Sequence, residues 1–182
     1  MELTKQKIVL LSLGLLPFFV GCSSTPSFPV NGGEIVQSES EFGVLTATPD
    51  VYEGRAIKLA GRIIAIESTE NGTILLAEWL PFPKDQREGP IPTTRLSGDR
   101  FELFYPGKLD KEGMLNGNKF LVLGKIAEPT KGTRKPGLEP ELPFINAKCL
   151  NIWKTGSGDL DTAPDVENAG YPLLPQTYCS ET

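Results

Sequence analysis

The sequence contains no histidine. That removes Ser-His-Asp and Cys-His catalysis, and with them histidine-ligated zinc and haem. Basic residues are also in short supply. Eighteen Lys and Arg face 23 Asp and Glu, for a net charge of −5 and a pI near 4.9. A nucleic-acid ligand needs a basic footprint to neutralise its phosphates, so no nucleic-acid partner is expected. The one long apolar run, Ile8–Val20, has 13 residues, whereas a helix spanning a bilayer needs about 20. Glycine (19) and proline (16) are plentiful, which suits a turn-rich β protein better than a helical bundle. The length of 182 residues allows one folded domain plus its ends.

Lys5 and Lys7 precede the apolar run, Pro17 interrupts it, and small residues follow. A basic start, a short apolar stretch and a small residue before a cut make a secretory signal, here residues 1–21. Phe19-Val20-Gly21-Cys22 resembles the lipobox of bacterial lipoproteins, which are cut between the residues matching Gly21 and Cys22. The lipobox prefers Leu where this chain has Phe19. The resemblance implies acylation of Cys22, and two or more acyl chains hold a protein stably in a membrane. Ser23, where an Asp would signal inner-membrane retention in enterobacteria, resembles the outer-membrane case. Residues 22–37 read as the lipidated N-terminus and its tether. Loss of residues 1–21 takes away Glu2, Lys5 and Lys7, so the net charge moves from −5 to −6.

Ser38-Glu39-Ser40-Glu41 fits a capping box, which predicts a short helix with Phe42 and Leu45 buried and an end before Pro49. Strand patterns follow at 56–67, 73–80, 100–105, 119–127 and 144–153. Gly61, where the first pattern changes, suggests a bulge or a barrel corner, and Gly124 in the fourth strand suggests the same. Asn71-Gly72 predicts a type I′ hairpin. One or two helical turns are expected over Leu109–Leu115. Five strands with a small helix between the third and fourth is the order of an OB barrel, with an open sandwich as the alternative. The expectation is thus an all-β fold with minor α, a small five-stranded OB-like barrel over 38–154, and a Gly/Pro/Asp-rich tail over 155–182.

Several segments together resemble the Slp family of outer-membrane lipoproteins. They are the lipobox, Thr48-Pro49-Asp50-Val51-Tyr52-Glu53-Gly54-Arg55, Leu59-Ala60-Gly61-Arg62-Ile63, Gly98-Asp99-Arg100-Phe101 with Leu109-Asp110, and Val122-Leu123-Gly124-Lys125-Ile126. The likeness spans roughly residues 20–154, and neither the Cys149/Cys179 pair nor the tail after Trp153 belongs to the resembling features. It implies an outer-membrane protein with no catalytic residues to carry over.

Once Cys22 is lipidated, Cys149 and Cys179 remain. In an oxidising compartment they are read as a disulfide that ties the tail, Tyr171–Cys179, back along the barrel. The alternative is two thiols, with Cys149 simply in the core on the face of Ile145, Ala147 and Trp153. Asp159, Asp161, Asp165 and Glu167 match no calcium-loop spacing and read as a solvated acidic tail, so no metal or other cofactor is expected. Glu78, Glu102 and Asp110 offer carboxylates for acid–base work, yet alternation along a strand places charge outward anyway. Arg95 and Arg100 with Phe101, Phe104 and Tyr105 offer a ligand face, on which a glycan or protein partner suits the charge better than a phosphate polymer. The functional expectation is a non-enzymatic lipoprotein facing the periplasm, held in the outer membrane by its acyl chains. It would act as a structural or partner-binding module, or alternatively as a binder of a glycan or small ligand.

Overall fold

The computed structural model describes residues 28–29, 31–90, 98–128, 142–155 and 175–180. The signal segment, Cys22, Arg95, the acidic cluster from Asp159 to Glu167, and residues 171–174 of the tail lie outside that range. Seven strands and two short helices are found among the described residues: β1 (Glu34–Ile35), α1 (Glu39–Ala47), α2 (Pro49–Tyr52), β2 (Ala56–Thr69), β3 (Gly72–Leu80), β4 (Arg100–Tyr105), β5 (Lys119–Ile126), β6 (Phe144–Trp153) and β7 (Gln176–Cys179).

α1 begins as its sequence requires. The Ser38 hydroxyl accepts from the Glu41 amide at 3.2 Å, and the Glu41 carboxylate accepts from the Ser38 amide at 3.1 Å. Phe42 and Leu45 are buried. Pro49 ends α1 but also opens α2, since a proline at the first helical position costs no hydrogen bond.

β2 to β6 close into a barrel in the order β2-β3-β4-β6-β5, with β5 returning to β2. The β4–β6 pair is parallel and the other four pairs are antiparallel. This connectivity agrees with the OB-like expectation; an open sandwich would have left β2 and β5 unpaired. The helix expected between the third and fourth barrel strands is absent. That segment makes a turn, with the Met114 amide on the Asp110 carbonyl at 3.0 Å, and Asn118 donates to the carbonyls of Glu112 and Gly113. Instead α1, which precedes the barrel, stacks Phe42 on Trp79 with ring centroids 5.5 Å apart and tilts it against Phe101 at 6.1 Å.

At Gly61 the structure decides for the corner over the bulge, and at Gly72 it departs from expectation. Gly61 is in regular register with both Trp79 and Phe120, so it is no bulge. It lies in the overlap where β2 passes from β5 to β3, and a Cβ there would meet the Phe101 and Phe120 rings at 3.0 Å. The β2 bulge comes two residues later, between Ile63 and Ala65. It lets Ile63 and Ile66 both turn toward the core, which accounts for the doubled apolar pattern. The hairpin also differs. Thr69 pairs Gly72, so the loop is Glu70-Asn71 and needs no positive φ. Gly72 is required for another reason: a side chain there would collide with the Tyr105 carbonyl and the Phe104 ring.

The core is double. Inside the barrel, Leu59, Leu75, Trp79, Phe101, Phe120, Val122 and Ile152 pack with Phe42 and Leu45. A second cluster lies on the outer wall, where Ala60, Leu121, Leu123, Cys149 and Trp153 are covered by Phe28, Leu80 and Phe82. The stretch read as tether therefore docks from Phe28 onward. Val36 joins the inner core, and β1 pairs β2 in parallel.

β6 carries the bulge that sets the chain's end. Leu123 faces Cys149 but Gly124 faces Ala147, leaving Lys148 as the extra residue. Ile145 and Ala147 point inward. The added residue turns Cys149 outward, so it does not share their face as simple alternation implied. The C-terminal segment, expected to hold no strand, forms β7 antiparallel to β6. Cys149 pairs Cys179 directly and the two are joined by a disulfide.

The bulge makes a direct prediction. A Cβ at Gly124 would overlap the Asn146 carbonyl and the Ile145 side chain, whereas one at Gly43 on α1 meets nothing within 4 Å. Gly124→Ala should lower stability by about 1–3 kcal/mol through overpacking. Gly43→Ala should raise it by about 0.5–1 kcal/mol through helix entropy. Urea unfolding of both variants checks the opposite signs.

Candidate functional site

The barrel interior is not a binding cavity. Phe42, Phe101 and Phe120 fill it, each no more than 1% exposed. Among the described residues, the open surface thus lies on the outside of the barrel.

The three carboxylates singled out in the sequence do not converge. Glu78 projects from β3 onto its cross-strand neighbour Arg62, whose Nε and Nη2 donate at 3.2 and 2.7 Å. Glu102 lies buried on β4 opposite Leu76. Asp110 sits in the turn after β4, where its Oδ1 accepts from the Gly113 amide at 2.5 Å. Of the proposed ligand face, Phe101 and Tyr105 point into the core, while Phe104 is half-buried and reaches the outside. Among the described residues no cluster of acidic or cysteine side chains is arranged to hold a metal.

Phe104 reaches a cleft that no local motif marks. It has a volume of about 920 Å³ and opens on the outer wall where the start of β2, the ends of β4 and β5 and the β6 bulge meet. Gly32, Gly33, Gly54 and Gly124 line it, with Pro29, Phe104 and Pro106 supplying apolar surface. Gly54 is fixed by its amide on the Ile126 carbonyl at 2.9 Å, and its φ of 72° explains why glycine stands there. Glu53, Lys125 and Lys148 bring one negative and two positive charges to the rim, and all three are exposed. The salt bridges formed by Glu78, Asp85 and Glu112 lie with Arg62, Arg87 and Lys154, not with these three. Asn31, Asn146 and Ser180 add neutral polar groups. A volume of this size falls within the range of small-ligand sites.

A second polar assembly joins β7 to the turn after β4. Tyr178 lies across from Leu150 and packs on the inner core, with its ring 6.4 Å from that of Tyr105. Burial pushes the Tyr178 phenol up, and the neighbouring Asp110 carboxylate pushes it further. For Asp110 itself burial opposes ionisation. The Gly113 amide, Tyr178, Gln176 and Lys154 outweigh burial and hold the carboxyl below its usual range. On the outer side of β7, Thr177 donates to the Asn151 side chain at 2.9 Å.

No helix among the described residues is long and apolar enough to cross a membrane. Membrane-spanning barrels have eight or more strands around a polar lumen, whereas this one has five around an apolar core. The model of the outer membrane lipoprotein Slp family matches residues 19–178. The chain belongs to the Slp family. It is an outer membrane lipoprotein, and the match starts at residue 19. It also runs through β7 to Tyr178, so the C-terminal segment is part of the Slp unit, contrary to the boundary drawn near residue 154 from sequence motifs. No curated protein matches the chain closely enough to count as a relative.

The Asp110 assembly has a definite pH signature. A carboxyl lowered in the native state adds stability above its unfolded pKa of about 4 and loses it as pH falls through the native value. Asp110→Asn, which keeps an acceptor for the Gly113 amide, should lower stability at pH 7. The gap to wild type should be smaller at pH 3, below the unfolded pKa. Denaturant unfolding at the two pH values checks this; an unchanged gap would show that the charge has no role.

Proposed function

We propose that this Slp-family lipoprotein is a non-catalytic binding module, anchored through Cys22 and facing the periplasm. The observation that carries the reading is the combination of a filled barrel with an external cleft whose rim charges take part in none of the ion pairs seen among the described residues. A filled barrel cannot enclose a ligand, so recognition falls to its outer wall. The carboxylates suited to acid–base work are occupied elsewhere, Glu78 by Arg62 and Asp110 by the Gly113 amide. Cys149 and Cys179 are joined to each other, and with no histidine in the chain no cysteine has an imidazole to activate it as a nucleophile.

The alternative to a protein partner is a glycan bound in the cleft. Asn31, Asn146 and Ser180 supply hydrogen-bonding groups beside the Phe104 ring, a combination that fits a sugar face.

Anchoring and orientation are tested together in cells. A clickable fatty acid should label the wild type and leave Cys22→Ala unlabelled. Protease added to intact cells should spare the barrel, and protease added after outer-membrane permeabilisation should reach it. A labelled Cys22→Ala protein would refute the anchor, and digestion in intact cells would refute the periplasmic orientation.

A further inference from the structure

The anchor proposed at Cys22 is only six residues from Phe28. Six residues span at most about 21 Å when fully extended. Phe28 is 9% exposed and packs into the outer-wall cluster, with the Lys58 ammonium 5.8 Å from the centre of its ring. The leash therefore stops at Phe28 and does not extend to residue 37. A free chain from Cys22 to Val36 could reach about 50 Å, so the Phe28 contact more than halves the distance the barrel can move from the leaflet. The next residue, Pro29, lines the cleft. The mouth of the cleft is thus held within about 25 Å of the acylated cysteine.

At that distance the most abundant ligands are the headgroups of the leaflet itself. The rim carries two ammonium groups, Lys125 and Lys148, and one carboxylate, Glu53. A zwitterionic headgroup carries the opposite pattern, a phosphate and an ammonium. Pro29 and Phe104 add apolar surface against which a glyceryl stem can lie. We propose that the cleft binds the headgroup of a zwitterionic phospholipid with a primary ammonium. Lys125 and Lys148 take the phosphate and Glu53 takes the ammonium. This rests on the reading of Cys22 as the anchor and specifies what the external cleft holds.

The test uses the full lipidated protein in detergent and reads backbone amide shifts by NMR. Dihexanoyl phosphatidylethanolamine is titrated against dihexanoyl phosphatidylglycerol, which has the phosphate without the ammonium, and against free phosphoethanolamine. The ethanolamine lipid should shift Gly54, Lys125 and Asn146 at concentrations at least tenfold lower than the glycerol lipid. Glu53→Gln should erase that preference by weakening only the ethanolamine lipid. The double variant Lys125→Gln/Lys148→Gln should weaken both lipids at least tenfold. All three side chains are exposed, so unchanged shifts in β3 will show that the variants stay folded. Equal binding of the two lipids by wild type would overturn the proposal, as would a preference unaffected by Glu53→Gln. Free phosphoethanolamine binding as tightly as the lipid would assign the cleft to a soluble ligand and overturn the leaflet assignment. Mass spectrometry of the same sample reads acylation at Cys22 separately, so failure of the anchor is told apart from failure of the cleft.

Discussion

The structure depends on closing a five-stranded barrel, and β6 is the strand where closure is hardest. One edge of β6 pairs β5 along its whole length. The other edge meets β4 at only three residues, Phe144, Ile145 and Asn146, because β4 and β6 run parallel and diverge. Beyond them β6 would expose backbone donors and acceptors along Cys149–Ile152, an open edge of the kind that invites aggregation. β7 occupies that edge, residue for residue, from Cys149 to Ile152. The Lys148 bulge aims Cys149 outward at Cys179, while Tyr178 turns inward to cover the core beside Tyr105. A disulfide closing a loop of this length, 30 residues apart in sequence, stabilises by about 3.6 kcal/mol in the chain-entropy model. That offsets the cost of ordering two or three of the four residues of β7, with the pairing to β6 and the Tyr178–Tyr105 contact adding to it.

Filling the barrel has a consequence for function. With phenylalanine rings on the axis and α1 supplying Phe42 from one side, the interior is committed to stability. The outer wall then does two jobs. Part of it, around Leu121, Leu123 and Trp153, is a second core that receives Phe28 and fixes how the chain leaves toward its anchor. The adjoining part, at the β5–β6 bulge, stays open as the cleft. The same bulge thus positions the disulfide and bounds the cleft, since Lys148 and Gly124 line its wall.

Much of this was readable from the sequence, for identifiable reasons. The five barrel strands and α1 carry long patterns or a specific cap, and Ser38 with Glu41 was enough to place a helix start. The parts that were not readable are those decided by tertiary contacts. β7 is four residues long and β1 is two, below the length at which alternation can be recognised. A bulge inserts one residue and inverts the inside–outside pattern, so the face of Cys149 could not be deduced by counting from Ile145. Asn71-Gly72 signals a turn in general, yet here Gly72 is needed for the close approach of Phe104 and not for its φ. The cleft brings Pro29, Glu53, Phe104, Lys125 and Lys148 together from five separate places in the chain, and no local motif marks such a meeting. Phe28 looked like part of a polar linker because its partners Leu80, Phe82 and Trp153 are far away in sequence.

The claim that β7 seals an otherwise open barrel edge is tested most directly by amide hydrogen exchange, comparing wild type with Cys179→Ser. The account predicts faster exchange at Leu150–Ile152 and throughout Gln176–Cys179 in the variant. Exchange should be unchanged at Leu59–Gly61, where β2 holds β5 and β3. Unaltered protection at Leu150–Ile152 would contradict the account by showing that β7 is not needed to cover β6. A uniform rise over the whole barrel would contradict it too, by showing that the disulfide supports the closure itself and not the seam alone.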